Sequence, residues 1–327
     1  MECRYGDWPA PTMCRILSRF LIAILSFSLT AAASRADGHK IGVLLKGKTK
    51  FWSVVEQGAL AAGEKLGVEV IVRMPPTESD VTVQIQLLNA LAKQGVEAIV
   101  LVPINKETLA KPAAAVAAQG IKIIVIDSPL DGDVASAFIA TDHHAAGEIA
   151  GRLLATLVTE NDQISLFRHS QENAATNSRE AGAVEKLREA YPKIVVYSDV
   201  FTGNEKEVQV ERAKLLLNKH PATKAVLASS TTGTMAMLEV LAHHEPLGEV
   251  KLVGFGFNLN DEVAAALEAG TLNGWVAQQP REIGYDGVAV AVDLLNGKPV
   301  PPTQSVDVVL VTKANLHDPK SQALLKL

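Results

Sequence analysis

The sequence predicts an α/β protein with two similar lobes, each a doubly wound parallel sheet. Short β-branched runs alternate with helical patterns from Lys40 onward, as in βα units whose helices cover both faces of a parallel sheet. The alternation restarts after Asp142, which gives more βα elements than one unbroken open sheet accommodates. Aromatic residues make up only 5% of the chain, which fits Ala- and Val-rich helices over buried strands.

In the first half, strand candidates alternate with amphipathic helices. Phe51–Leu66 places its apolar residues on one helical face, and Gly67 ends that helix as a left-handed C-cap would. The helix around Thr108–Gln119 stops at Gly120. The other elements predicted here are the strands Lys40–Leu45, Val68–Val72, Ala98–Val102 and Lys122–Ile126 and the helix Val81–Lys93.

The second half is preceded by an extra strand, Ala137–Ala140, and this break favours two lobes over a TIM barrel. Helices are predicted near Ser178–Glu189, Glu205–Lys219, Thr234–His244, Asp261–Ala269 and Ile283–Leu295. The strands are Gln163–Phe167, Ile194–Ser198, Lys224–Ala228, Val250–Gly254 and Asn273–Ala277, followed by a final strand over Val306–Val311.

An apolar leader precedes the first strand. The run Phe20–Ala33 follows two arginines, and Ser34–Ala36 offers the small-x-small pattern of a signal peptidase site. A membrane anchor is the alternative, but the run is too short to span ~30 Å comfortably. We therefore predict that residues 1–36 are a secretory signal cleaved before Asp37, with Met13 as an alternative start, and that the mature protein is periplasmic.

The composition excludes several classes of function. Both cysteines, Cys3 and Cys14, lie in the leader, so the mature chain has no disulfide and no thiol chemistry. A formal net charge of -5 gives no basic surface for nucleic acid. Neither a phosphate-binding glycine loop nor a nucleophile elbow occurs, and the pairs His143–His144 and His243–His244 lack metal-ligand spacing. We expect no metal, no cofactor and no catalytic residue.

Candidate binding residues follow from a rule of parallel sheets, which bind ligands outside the carboxyl ends of their strands. Aromatic rings, amides, a carboxylate and a guanidinium at those ends suit a polyhydroxylated ligand. The candidates are Lys46, Phe51 and Trp52 after the first strand, Asp127 after the fourth, and Arg168, Ser230, Asn258 and Gln278 in the second half.

Each of these candidates also has a structural interpretation. Phe51 and Trp52 could pack under their loop, and Asp127 could cap the following turn. Arg179, early on a helix, is equally a ligand contact or a structural ion pair.

The ordered motifs resemble a known family, the ribose-binding-like periplasmic proteins, also called type I solute-binding proteins. The resemblance runs from about Lys40 to Thr312. Its stretches are Lys46–Trp52, Pro75–Asp80, Gly95–Pro103, Gly120–Ser128, Ala140–Asp142, Asn177–Gly182, Val253–Phe255, Ala277–Pro280 and Gly297–Pro299.

The resemblance implies two lobes joined by a three-segment hinge. The N-terminal lobe would comprise residues 37–141 plus 279–306, and the C-terminal lobe residues 142–278 plus 307–327. Carried over position by position, Phe51 and Trp52 are the aromatic pair, Asp127 is the hydroxyl-binding aspartate, and Gln278 is the hinge-side glutamine. Asn177 is the contact at a helix start, with Arg179 close by.

Two departures from the family pattern concern the ligand. Gly256 stands where the family often has a second aspartate, so Asn258 is a candidate substitute, and Ser230–Thr231 replaces a frequent Asn-Asp. Lys46 and Arg168 add positive charge, which keeps a sugar acid open beside a neutral sugar.

The resemblance implies a monomeric binding protein that passes a sugar or polyol to an ABC permease in the inner membrane. A sensing subunit for a chemoreceptor or a sensor kinase is the alternative. A hydrolase would need paired carboxylates across the cleft, and only Asp127 clearly qualifies.

Overall fold

The computed structural model describes residue 2 and residues 38–171, 173–203, 206–243 and 250–326. Apart from residue 2, the predicted leader lies outside these ranges, together with its cysteines and cleavage site. The second residue of the pair His243–His244 is outside them too. Within the described ranges, no helix is both long enough and apolar enough to cross a membrane.

Sheet 1 is six-stranded and wholly parallel, in the order β11-β5-β4-β3-β1-β2. Its strands are β1 (Lys40–Leu44), β2 (Glu69–Arg73), β3 (Ala98–Leu101), β4 (Lys122–Ile126), β5 (Ala137–Thr141) and β11 (Thr303–Val306). The helices that pack on its two faces are α1 (Lys50–Leu66) with α9 (Pro280–Leu295), and α2 (Val81–Lys93) with α3 (Lys106–Ala117).

Sheet 2 repeats this plan in the order β12-β10-β9-β8-β6-β7, with only β12 antiparallel to its neighbour. Its strands are β6 (Gln163–Arg168), β7 (Val195–Phe201), β8 (Thr223–Ala228), β9 (Lys251–Gly256), β10 (Gly274–Ala277) and β12 (Val309–Val311). On one face lie α4 (His143–Leu157) and α5 (Ala174–Ala190); on the other lie α6 (Lys206–Lys219), α7 (Thr231–His243) and α8 (Asp261–Ala269). A short helix, α10 (Pro319–Gln322), follows β12.

Burial on both faces explains why the central strands read as unbroken apolar runs. All four residues of β3 and all four of β10 are buried, because each strand is covered by helices on both sides. The amphipathic helices supply the rest of each core through one apolar face.

The described chain passes between the two sheets at three places. It leaves sheet 1 after β5, returns after β10, and crosses again between β11 and β12. This confirms the predicted fold class, two doubly wound lobes joined by a three-segment hinge.

The predicted elements agree with the structure at most positions. The helices Val81–Lys93 and Asp261–Ala269 have the predicted bounds, and Gly67 has the left-handed φ of 69° that its capping role needs. The prediction of a single final strand over Val306–Val311 was wrong. It is two strands, β11 and β12, which belong to different sheets because the third crossing interrupts the apolar run.

Candidate ligand-binding site

A cleft of about 980 Å³ lies where the carboxyl ends of strands from both sheets face each other. Its volume is at the upper end of the range for small-molecule sites. It brings together seven of the ten predicted binding residues: Lys46, Phe51, Trp52, Asp127, Arg179, Ser230 and Gln278.

Asp127 follows β4 and anchors the sheet 1 side of the cleft. Its φ of 62° is the only positive value among the described residues other than glycine, and aspartate tolerates this region better than most side chains. Its carboxylate accepts a hydrogen bond from Ser128 Oγ at 2.7 Å and lies 3.8 Å from Lys46 Nζ, which also contacts Ser128. The carboxylate is thus held within a small polar cluster.

The two aromatic residues have different surroundings. Trp52 is 4% exposed, and its indole N–H donates to Glu78 Oε1 at 2.9 Å. The ring of Phe51 is nearly perpendicular to that of Trp52, with 4.8 Å between the ring centroids. It is also nearly perpendicular to the ring of Phe257, which follows β9, with 5.3 Å between the centroids. Phe51 therefore reaches from α1 to the end of a sheet 2 strand, so an aromatic contact links the two sides of the cleft.

The buried side-chain amide of Gln84 holds two loops in place on the sheet 1 side of the cleft. Gln84 of α2 is fully buried, and its Nε2 donates to the carbonyls of Leu45 and Val102, just after β1 and β3. Its Oε1 accepts from the Ile104 N–H at 2.9 Å. Since every polar group of this side chain is satisfied, Gln84 fixes the backbone directly before Lys46 and around Ile104.

Arg179 is the principal charged group on the sheet 2 side. It is 5% exposed, and its Nη1 donates to the Ser229 carbonyl at 3.0 Å. Its Nε and Nη2 lie 3.3 and 3.2 Å from Nδ1 of His143, the first residue of α4. Gly147 allows this approach, because a Cβ there would lie 2.1 Å from the Arg179 carbonyl oxygen.

Burial and charge act together on this pair. Burial lowers the pKa of Arg179 to about 10, although Asp127 and Glu180 act in the opposite direction. Burial and then the Arg179 cation lower the pKa of His143 to about 3. Arg179 is therefore charged and His143 neutral at ordinary pH.

Two predicted residues, Arg168 and Asn177, do not line the cleft. Arg168 Nε donates to Glu180 Oε2 at 2.6 Å, and its Nη2 donates to the Asn177 side chain at 3.1 Å. Glu180 is 4% exposed and also accepts from Ser229 Oγ. In this structure these groups bind one another, and the predicted ligand contacts of Arg168 and Asn177 stay predictions. Helix α5 begins at Ala174, so Asn177 is also not at the helix start.

Asn258 does not line the cleft either, so the structure does not support it as a substitute for the missing aspartate. It is 7% exposed, and its backbone carbonyl accepts from the Trp275 indole N–H at 3.1 Å. Ser230 does line the cleft and also supports α7, because its Oγ accepts from the Gly233 N–H.

Sequence reasoning missed several residues that line the cleft, among them Glu78, Thr141, His143 and Gln304. The sequence pattern suggests His143 only as a metal ligand. Its position directly after Asp142, where the second half of the chain begins, is the signal that could have placed it beside the cleft. Among the described residues, no group of three or more His, Cys, Asp or Glu side chains is placed to hold a metal ion.

A family profile described as a periplasmic binding protein domain matches residues 41–299, which is most of the chain. The chain belongs to the periplasmic binding protein family. Relatives of this binding protein include the D-allose-binding periplasmic protein of Escherichia coli strain K12. The two are 27% identical over 92% of this chain and 100% of that protein. A ribose import binding protein of Bacillus subtilis strain 168 is 25% identical over 80% of this chain and 83% of its own length.

Solved structures show the same architecture. A carbohydrate transporter solute binding protein from Agrobacterium radiobacter, in complex with D-arabinose, superposes with a TM-score of 0.77. It is 28% identical and is matched over 88% of this chain and 99% of its own. The periplasmic component of an ABC-type sugar transport system from Hahella chejuensis gives a TM-score of 0.73 at 29% identity, over 84% and 99% of the two chains.

The structure explains why this binding protein has Gly256 where an aspartate was expected. A Cβ at Gly256 would lie 1.9 Å from the six-membered ring of Trp275, on the neighbouring strand β10. Trp275 is fully buried and fills that space. An aspartate at position 256 is therefore sterically excluded while the indole keeps this position.

Proposed function

We propose that this periplasmic binding protein captures a monosaccharide in the cleft and presents it to an ABC permease. The observation that carries the proposal is the convergence of Asp127 and Arg179 from opposite sheets on one cleft, beside the Gln278 amide. A carboxylate, a guanidinium and an amide bind hydroxyl groups through directional hydrogen bonds, and Phe51 offers an aromatic surface for the C–H faces of a sugar. The relatives named for D-allose and ribose, and the structure bound to D-arabinose, support a sugar as the ligand class.

The relatives named for D-allose and ribose favour a neutral sugar over a sugar acid. The sugar acid was suggested by Lys46 and Arg168, but both charges have protein partners. Lys46 Nζ lies 3.8 Å from Asp127 Oδ2, and Arg168 lies outside the cleft beside Glu180. Lys46 and Arg168 therefore do not need a ligand carboxylate to balance their charge.

Transport is proposed in preference to sensing, and binding in preference to catalysis. The relatives have names of import and binding proteins, which supports both preferences. Ligand binding would favour a closed state in which the lobes meet around the sugar, and the permease would recognise a surface to which both lobes contribute. We propose that the protein acts as a monomer.

The lobe boundaries and the leader are also proposals. We assign residues 37–141 plus 279–306 to one lobe and residues 142–278 plus 307–327 to the other, which agrees with the membership of sheets 1 and 2. Residues 1–36 would be removed on export, with Asp37 as the first residue of the mature protein. Mass spectrometry of the protein recovered from periplasm tests the cleavage site.

The ligand is tested first by a thermal-shift screen of monosaccharides, polyols and sugar acids on the mature protein. A true ligand raises the unfolding temperature because it binds only the folded state. Calorimetry then measures Kd for wild type, Asp127→Asn and Gln278→Ala. Asparagine is used at position 127 because it tolerates the φ of 62°, whereas alanine would add backbone strain.

Each substitution is expected to weaken binding, by roughly a hundredfold for Asp127→Asn and roughly tenfold for Gln278→Ala. Asp293→Asn on α9 and Gln119→Ala in the turn after α3, both outside the residues that line the cleft, are the matched controls and should bind like wild type. If no sugar, polyol or sugar acid binds the wild type, the proposed function is wrong. If both cleft variants bind normally, the assigned site is wrong.

A further inference from the structure

His143 occupies a special place in the fold. It is the first residue of α4, directly after the N-cap Asp142, on the first segment that crosses from sheet 1 to sheet 2. Its side chain lines the cleft, as does that of Arg179. It therefore lies at the hinge and in contact with the only arginine that lines the described part of the cleft.

The contact with Arg179 determines which ring nitrogen of His143 carries the proton. Arg179 Nε and Nη2 both point to His143 Nδ1, at 3.3 and 3.2 Å. A guanidinium has only donors and keeps its protons in proteins, so Nδ1 must accept. The neutral ring then carries its proton on Nε2.

The remaining nitrogen is a donor without a partner. No hydrogen bond joins Nε2 to any group in the described part of the protein, whereas Nδ1 is fully engaged. Burial and the Arg179 cation hold the pKa of His143 near 3, which keeps the ring neutral and its single proton in place. A neutral N–H at the wall of a binding cleft can only donate, so it selects an oxygen acceptor and disfavours an ammonium group.

We propose that His143 is a specificity-determining residue, whose Nδ1 orients Arg179 and whose Nε2–H donates a hydrogen bond to an oxygen of the bound sugar. The inference rests on the proposed function and adds a ligand contact to it. It also accounts for Arg179, because a buried guanidinium that is held by a neutral acceptor and a carbonyl keeps two N–H groups for the ligand.

Calorimetry on two substitutions separates the two roles of His143. In His143→Asn the amide oxygen can accept from Arg179 as Nδ1 does, but the shorter side chain does not reach the position of Nε2. In His143→Gln the longer amide places an N–H near that position. The probes are D-allose, D-ribose and D-arabinose, using whichever binds the wild type most tightly.

We expect Kd to rise roughly tenfold in His143→Asn and to recover partly in His143→Gln. A merely structural role would predict wild-type affinity for His143→Asn. His317→Asn, at an exposed histidine near the C-terminal end, is the matched control and should leave Kd unchanged.

A second measurement needs no variant. Long-range ¹H–¹⁵N correlation spectra of the wild-type protein report the tautomer of each histidine directly. We expect His143 to be neutral and protonated on Nε2 from pH 5 to 8, and its Nε2 resonance to shift when the sugar is added. The proposal would be overturned if the proton lay on Nδ1 or if His143 titrated near pH 6.5. It would also be overturned if saturating sugar left the Nε2 resonance unshifted.

The outcomes separate this inference from the proposed function. If the wild type binds none of the three sugars and nothing in the thermal-shift screen, the proposed function fails and this contact fails with it. If the wild type binds a sugar and His143→Asn binds it equally well, only the role of His143 is wrong.

Discussion

The two sides of the cleft use charge differently. On the sheet 1 side, Asp127 lies in a cluster with Lys46 and Ser128, so the carboxylate has a nearby protein cation. On the sheet 2 side, Arg179 forms no salt bridge with the described residues and is held by the neutral His143 ring and the Ser229 carbonyl. The nearby carboxylate of Glu180 is taken by Arg168 instead.

This difference indicates how each side prepares for a polar ligand. On the sheet 1 side, Lys46 partly neutralises the charge of Asp127 before a ligand binds. A ligand hydroxyl that binds Asp127 therefore competes with the contacts that the carboxylate already makes. The sheet 2 side keeps a desolvated cation with two N–H groups left for a ligand, and a hydrogen bond from a desolvated charged donor is stronger than one in water. The following predictions test that contrast, from the largest expected effect to the smallest.

Glu180→Gln should cause the largest loss, because it leaves Arg168 without its buried partner. We expect the free energy of unfolding to fall by about 3 kcal/mol, measured by urea denaturation. Arg152→Gln, which breaks the exposed pair with Glu148, is the control and should change stability by less than about 0.5 kcal/mol. Equal effects of the two substitutions would mean that the Arg168–Glu180 pair does not support the sheet 2 side.

Arg179→Met and Lys46→Met compare the two cations directly. Because Arg179 has spare donors and Lys46 is committed to Asp127 and Ser128, we expect sugar affinity to fall roughly a hundredfold for Arg179→Met and roughly threefold for Lys46→Met. Calorimetry with the sugar that binds the wild type measures both. A larger loss for Lys46→Met would reverse the assigned roles of the two sides.

The sheet 2 side should also respond to acid. The pKa of His143 falls from its usual 6.5 in the unfolded chain to about 3 in the folded protein, so only the unfolded chain takes up this proton between those values. The contribution of the neutral His143 ring to the free energy of unfolding is therefore fully present above pH 6.5. It is lost as the pH falls, by at most about 1.4 kcal/mol per pH unit.

His169, whose pKa burial also lowers, acts in the same direction. Urea denaturation between pH 7 and 4 should therefore show a flatter pH dependence for His143→Asn than for wild type. Identical slopes would show that His143 is not held neutral by the fold.

Thr141→Val should have the smallest effect, and its sign is informative. Thr141 is 5% exposed at the end of β5, and its hydroxyl has no hydrogen-bond partner in the described structure. Valine has nearly the same shape without the unsatisfied polar atom, so we expect stability to stay equal or to rise by up to about 1 kcal/mol in thermal denaturation. A loss above about 1 kcal/mol would show that the hydroxyl is satisfied in solution.

Much of the fold could be predicted from the sequence because its signals are local. β-branched runs, apolar helix faces and the glycine at position 67 each determine their own element. The final strand failed because Asp307 is one polar residue among five apolar ones, and a single polar residue does not show that the chain crosses to the other sheet there.

The candidate site was harder for the same reason. The strand-end rule placed Asp127 and Gln278 at the cleft, but it could not distinguish Arg168 from Arg179. That distinction depends on Glu180, buried between Arg168 and Ser229, and on the close approach of α4 at Gly147. The exclusion of an aspartate at position 256 likewise depends on Trp275, nineteen positions later and one strand away.

The central claim is that one sugar binds in the cleft between Asp127 and Arg179. A crystal structure of the mature protein grown with D-allose, or with the best sugar of the thermal-shift screen, tests it most directly. We predict density for one sugar within hydrogen-bond distance of the Asp127 carboxylate, the Arg179 guanidinium and the His143 Nε2. A sugar bound outside the cleft, or in the cleft without contact to Asp127 and Arg179, would contradict the account.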